Sequence, residues 1–209
     1  MELRDAVRRR RMVRRYDPDK DVGPDVVRRL LELAVRAPSA GFSQGWDFLV
    51  LRGTERDAFW AATTDDGLPD SWLAGVSTAP VLILCCSDKG TYLRRYARED
   101  KPWQDQSEEH WPVPYWDVDT GMAAMLMLLG AVDEGLGALF FGVPVERLDA
   151  VREAFGIPAD RNLVGVVALG YPADPKPSGS TRSVRRRELA DVTHFGRFGK
   201  AEDSAPADQ

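Results

Sequence analysis

Apolar residues recur along this chain at two spacings, and those spacings predict most of its elements. Over residues 24–36, Val27, Leu30, Leu31 and Ala34 return at intervals of three and four, which places them on one face of a helix. Pro24 suits a first helical position with Gly23 before it, and Ala37-Pro38 ends the helix, because a residue preceding proline is pushed out of helical geometry. A short charged helix is expected over residues 2–10. A strand is expected over 46–51, followed by a helix with Thr54 as its N-cap that ends near Thr64. Residues 80–86 form a short continuous apolar run, the pattern of a central strand covered on both faces. An amphipathic helix is predicted over 88–99, strands over 138–141 and 163–169, and a helix over 144–155.

The segment 117–134 differs from the others. Residues 121–132 are apolar on every side, with Gly121, Ala123, Ala124, Gly130 and Ala131 set among Met and Leu. A helix apolar all round is expected to be buried all round, and one this short falls below the roughly 20 residues needed to span a bilayer. It is therefore expected in the core or packed against its twin in a second subunit, where small residues let two backbones approach. Gly135-Leu136-Gly137 stops it. Residues 172–183 are rich in Pro, Ser and Gly and predict a surface connector, while 200–209 predict a disordered acidic tail. Helices mixed with a few strands, without strict alternation, predict an α+β fold in one domain over 1–199.

Composition narrows the function classes. The chain has 209 residues, of which 44% are hydrophobic and 29% charged, and a formal net charge of -5. An acidic chain offers no broad attraction to nucleic acid or anionic lipid. Its positive charge is nonetheless clustered: Arg8, Arg9, Arg10, Arg11, Arg14 and Arg15 near one end, and Arg182, Arg185, Arg186 and Arg187 near the other. Such clusters suit either a local anion site or solvated surface charge. The arginine-rich start lacks the apolar stretch of a signal peptide, so a cytoplasmic protein is expected. Cys85 and Cys86 are neighbours on a predicted strand, pointing to opposite faces, and read as small buried residues. The two histidines, His110 and His194, have no metal-ligand spacing, and neither a nucleophile turn nor a phosphate loop is present. Chemistry, if any, is expected to come from a cofactor.

Four motifs stand in register. They are Arg10-Arg11-Met12-Val13-Arg14-Arg15-Tyr16; Ala37-Pro38-Ser39-Ala40-Gly41-Phe42-Ser43-Gln44-Gly45-Trp46-Asp47-Phe48; Gly135-Leu136-Gly137-Ala138 with Gly142-Val143-Pro144; and Arg185-Arg186-Arg187-Glu188-Leu189-Ala190-Asp191-Val192 with His194. Together they resemble the signatures of the nitroreductase family, in order and spacing, over nearly the whole chain. Met12 stands where the family commonly has serine, and Gly45 where it has proline, which is expected to loosen that loop.

The resemblance implies a nitroreductase-like fold, with a mostly antiparallel sheet flanked by helices, in an intertwined homodimer with exchanged C-terminal arms. It implies FMN at the subunit interface and NADH or NADPH as donor, with hydride passing through flavin N5 in ping-pong fashion to a small electron-poor acceptor such as a nitroaromatic or quinone. By the same resemblance Arg10, Arg11, Arg185 and Arg187 converge on the flavin phosphate, for which the planar guanidinium fork is suited. Arg14 approaches the pyrimidine edge of the ring, and Met12 contributes backbone. Pro38, Ser39, Ala40 and Gln44 also bind the cofactor, Ser39 and Gln44 from the partner subunit, and Phe140, Phe141 and Gly142 pass beside the ring. The aromatic stretch with Tyr96, Trp103, Trp111 and Tyr115 resembles the family's substrate lid, although it equally suits a satellite hydrophobic cluster. His110 is expected at the surface, and His194 in the arm with Phe195 and Phe198. Alternatives are a specialised flavin enzyme of the same fold (a dehalogenase or an oxidase/dehydrogenase) or a non-catalytic flavin-binding dimer.

Overall fold

The computed structural model describes residues 1–64, 71–173 and 183–201. In chain order the first part carries α1 (Leu3–Arg9), α2 (Pro24–Ala34), β1 (Trp46–Arg52), α3 (Gly53–Thr63), α4 (Ser71–Val76), β2 (Val81–Asp88), α5 (Lys89–Tyr96), α6 (Tyr115–Asp133), β3 (Gly137–Phe141), α7 (Leu148–Phe155) and β4 (Arg161–Gly170). The chain divides into two units, Met1–Pro175 and Lys176–Gln209.

The strands form one antiparallel sheet in the order β1-β2-β4-β3. Every residue of β2 is buried, which is why its sequence is apolar without alternation. Val81, Ile83 and Cys85 face α2 and α6, meeting Val27, Leu30, Met127 and Ala131. Leu82 and Leu84 face the opposite way, toward Phe59 of α3, Val76 of α4 and Val151 of α7. The sheet thus separates two apolar cores, each closed by its own helices. Opposite Cys85 and Cys86 the register skips Val164, since Cys85 pairs with Gly165 and Cys86 with Leu163. That bulge bends β4 near the end of the sheet.

Four expectations change in detail. α3 begins at Gly53, so Thr54 lies within the helix and no side chain caps its start. The helix expected from residue 144 opens as a 3-10 turn, Val145–Arg147, before α7. α6 starts earlier than its apolar core, at Tyr115, and takes in part of the aromatic stretch. Its burial is one-sided: Ala123, Ala124, Met127, Leu128 and Ala131 are buried, while Val118, Met122 and Met125 stand exposed along one stripe. In the single chain, then, a helix apolar all round is not buried all round. Its small residues do serve close packing, for a Cβ on Gly130 would lie 2.5–2.8 Å from the Leu33 and Leu30 side chains of α2.

The second unit is described over residues 183–201 and contains a 3-10 turn, Leu189–Asp191, closed by reciprocal Glu188 and Asp191 capping bonds. Val184, Leu189, Val192, Phe195 and Phe198 are exposed there. Most of the expected connector, and the expected tail beyond Ala201, lie outside the described residues. No helix among the described residues is long and apolar enough to cross a membrane.

Candidate active site

The first arginine motif leaves α1 and runs along the edge of the sheet. Met12 bridges in parallel to Ala138, and Val13 N–H donates to the Ala138 carbonyl at 2.9 Å. This covers the otherwise open edge of β3. Tyr16 anchors the segment: its buried hydroxyl donates to the Val13 and Ala168 carbonyls at 2.8 and 3.3 Å. Burial pushes that phenol far above its ordinary range, the nearby Arg14 charge opposing only weakly, so it stays a donor. The arginines then part company. Arg11 turns back and donates to the Arg8 and Arg10 carbonyls, and Arg14 donates to the Met12 carbonyl at 3.0 Å. Arg10 Nη1 is buried and has no hydrogen-bond partner among the described residues. The residue as a whole is half-buried, so this is one donor left without an acceptor, at a cost of about 1–3 kcal/mol.

The second motif forms a strained loop after α2. Ala40–Phe42 make a 3-10 turn, and Gly41, Phe42 and Gln44 have φ of 60°, 54° and 55°. Only glycine adopts that region freely, so Phe42 and Gln44 must be held there. What holds them is a buried carboxylate: Asp119, near the start of α6, accepts from Ala40 N–H and from the Tyr92 hydroxyl, each at 2.8 Å. Ser39 Oγ accepts from Gln44 N–H at 3.0 Å, and Arg95 Nε donates to the Gly41 carbonyl at 2.9 Å. Gly45 does not loosen this loop. It is buried, its carbonyl accepts from Asp88 N–H, and a Cβ there would meet the Tyr92 ring at 2.6 Å and the Asp88 carbonyl at 2.8 Å. Glycine is present because α5 packs directly on it.

Beside the loop the expected lid residues gather into one aromatic cluster. Trp111 lies at its centre, with ring centroids 4.6 Å from Tyr96, 5.7 Å from Trp103 and 5.9 Å from Tyr115. Tyr96 stacks on Trp103, and Lys101 Nζ lies over the Tyr96 ring at 4.8 Å from its centroid. His110 is partly exposed, stacked on Trp103 at 4.7 Å with Nε2 3.0 Å from Asp105. The cluster reaches the loop through Tyr96, whose ring would lie 2.6 Å from a Cβ on Gly41.

Beside that loop a cavity of about 320 Å³ opens between residues 41–43 and Thr91, Arg94, Arg95 and Arg98. These arginines escaped the sequence reading, although their spacing along one face of α5 and the residues after it was legible. At the end of β3, Phe140 covers Gly165, while Phe141 stacks on Trp60 at 5.8 Å. Gly142 is exposed.

The structure therefore brings residues 10–14 against β3, and residues 38–44 against α5 and α6. Among the described residues, no hydrogen bond or ion pair links these two groups within one chain. In the second unit, Arg185 and Arg187 are exposed, Arg187 donates to the Asp191 carbonyl at 2.5 Å, and His194 packs against Phe198 with centroids 4.2 Å apart. Burial raises both cysteines, Cys86 to about 11, so neither is poised as a thiolate. No group of His, Cys, Asp and Glu among the described residues could hold a metal ion. What the site presents is cationic and aromatic: groups that bind, rather than groups that attack.

Comparison with known proteins shows what the chain as a whole is similar to. The family model described as Nitroreductase family matches residues 7–171. A Methanothermobacter thermautotrophicus protein provisionally named an NADH dehydrogenase/NAD(P)H nitroreductase is 31% identical over 83% of this chain and 79% of its own length. An Archaeoglobus fulgidus protein of the same name is 32% identical over 80% and 83%. Among solved structures, a Desulfovibrio desulfuricans protein, provisionally a nitroreductase and crystallised in complex with FMN, superposes with a TM-score of 0.70 at 27% identity, over 95% of this chain and 98% of that one. A Streptococcus pneumoniae nitroreductase family protein superposes at 0.72 with 23% identity, over 93% and 100%, which bears on the fold.

Proposed function

This chain belongs to the nitroreductase family, and from that premise we propose that it is an FMN-dependent oxidoreductase, moving hydride from NADH or NADPH to a small electron-poor acceptor such as a nitroaromatic or quinone. The observation that carries the reading is Arg10 Nη1, buried and without a partner among the described residues, on a segment that also bears Arg11 and Arg14. A phosphate there would supply the missing acceptor in the bidentate geometry that guanidinium favours. The residues present thus fit the group.

FMN, when bound, supplies the hydride-accepting and hydride-donating chemistry. The chain's own part is to hold and tune it. Arg10 and Arg11 bind the phosphate. Arg14 offers positive charge near the pyrimidine edge of the ring, and backbone at Met12 and Gly142, with Phe140 and Phe141, lines the approach. Pro38, Ser39, Ala40 and Gln44 are contributed by the other subunit of a homodimer. The lack of any hydrogen bond or ion pair between the two groups among the described residues supports that division, as does the exposed stripe on α6. Exposed Phe195 and Phe198 support an arm laid on the partner. The aromatic cluster of Tyr96, Trp103, Trp111 and Tyr115 covers the acceptor.

The visible spectrum of the purified protein, alone and after incubation with FMN, tests the assignment. Oxidised flavin bands and quinone-dependent oxidation of NADH or NADPH are expected. Arg10→Ala and Arg14→Ala should each weaken FMN retention, by about tenfold for loss of one charge-assisted contact of 1.5 kcal/mol or so. Protein that stays colourless with excess FMN refutes the proposal. Flavin-loaded protein that passes electrons between no donor and acceptor limits it to flavin binding.

A further inference from the structure

The cavity beside the Ala40–Phe42 turn is lined by three guanidinium groups and no carboxylate. Two of the three have structural work. Arg95 pairs with Asp100 through both of its terminal nitrogens, at 2.8 and 2.7 Å, and holds the Gly41 carbonyl. Arg94 donates to Thr91 Oγ1 at 2.9 Å and reaches Asp88 only at 3.5 Å, a carboxylate already engaged by Arg161 and by Thr91. Arg98 lies past the end of α5, and no hydrogen bond or ion pair holds its guanidinium among the described residues. The lining therefore carries a surplus of positive charge aimed at an open volume. At the rim stands Phe42, 74% exposed and kept at positive φ by the Asp119 network. In the single chain this ring offers an open face on a strained backbone, beside the flavin-facing residues of the same loop, and serves as a stacking surface. A volume of about 320 Å³ is at the small end for ligand sites, enough for one ring with its substituent rather than a dinucleotide.

We propose that this cavity binds the anionic substituent of a planar aromatic ligand, the anion on Arg94 and Arg98 and the ring against Phe42. The inference deepens the oxidoreductase reading and rests on it for its two sources of such a group. One is the 2′-phosphoadenosine end of NADPH, which makes the site a selector of donor. The other is an aromatic carboxylate, which makes it a selector of acceptor.

Calorimetric titration of the purified protein with adenosine 2′-monophosphate and with 4-nitrobenzoate, alongside adenosine and nitrobenzene, reads the site without any turnover. At least one anion should bind more tightly than its neutral counterpart, with affinity falling as salt rises. Arg98→Ala should weaken it about tenfold or more, as expected for loss of a charge-assisted contact; Phe42→Ala should weaken it less. Arg28→Ala, whose guanidinium pairs with Asp25 on α2, serves as the control for bulk charge. Arg98 is exposed, so its replacement spares the core. In steady state, a fall in the NADPH-to-NADH ratio of kcat/KM in Arg98→Ala assigns the nucleotide as source. A raised KM for 4-nitrobenzoate assigns the acceptor. Equal affinity for anions and neutral counterparts, or anion binding unchanged by Arg98→Ala, overturns the proposal. Protein unable to take FMN would defeat the oxidoreductase reading, yet the titrations would still decide this site.

Discussion

Asp88 shows how one side chain can organise the neighbourhood of the site. It ends β2 and caps α5, accepting from Thr91 N–H at 3.0 Å and Thr91 Oγ1 at 2.6 Å, with Arg161 3.2 Å away. Burial acts to raise its pKa, but the Thr91 bonds and the Arg161 and Arg94 charges together outweigh it, and the carboxyl is held below its usual range. A depressed folded value means that this stabilisation is present above the ordinary aspartate range near about 3.9 and is lost as pH falls through the folded value. Asp88→Ala should therefore cost about 1–2 kcal/mol at neutral pH, the cost of a lost cap, with the gap to the parent closing in acid. Urea denaturation at a series of pH values measures this, and a pH-independent gap would contradict it. Asp119 is the second such residue. Burial pushes the Tyr92 phenol upward and the Asp119 charge adds to the shift, so Tyr92 remains a donor. Tyr92→Phe leaves that buried carboxylate with Ala40 N–H as its sole donor among the bonds described, and should destabilise by about 1–3 kcal/mol. Equal urea midpoints for Tyr92→Phe and the parent would show that the network does not hold the loop.

At the scale of elements, close approach explains what propensity does not. Gly45 and Gly130 are both glycine because another element packs on them, but the obstacles differ. A methyl at Gly45 meets a backbone carbonyl, which cannot move aside, whereas one at Gly130 meets leucine side-chain ends. Gly45→Ala should accordingly cost about 1–3 kcal/mol, and Gly130→Ala less, since the leucines can rotate away. Thermal melts of the two variants rank them directly. The helices were legible because a face repeated every three or four residues, and β2 because a strand covered on both sides needs no polar positions. Boundaries were less so. Thr54 looked like a cap, yet the helix begins one residue earlier without one, and Tyr115 and Trp116 belong to α6 rather than to a loop. Cap chemistry is a local preference, and packing against the sheet overrides it.

For the whole molecule, the unfinished feature is the exposed apolar stripe of α6. Val118, Met122 and Met125 recur at intervals of four and three on the face turned away from the core. Pairing of two such faces would complete the burial that the sequence of this helix demands. The protein should sediment at twice its 23.3 kDa chain mass, and Met122→Glu with Met125→Glu should shift it toward that of the single chain while releasing FMN. A monomeric parent that retains flavin would exclude an interfacial site.

Residue order alone determined the helix faces, the doubly covered strand, the cationic motif at residues 10–14 and the family resemblance, because each depends on spacing along the chain. It also marked α6 as a helix with no natural solvent face. Only the tertiary structure decided that Arg11 folds back while Arg10 is left unpaired, that Gly45 is clamped by Tyr92, and that Arg94 and Arg98 border a cavity with Phe42. Those outcomes depend on which distant groups share a few ångströms of space, and close approach between distant segments leaves no period in a sequence.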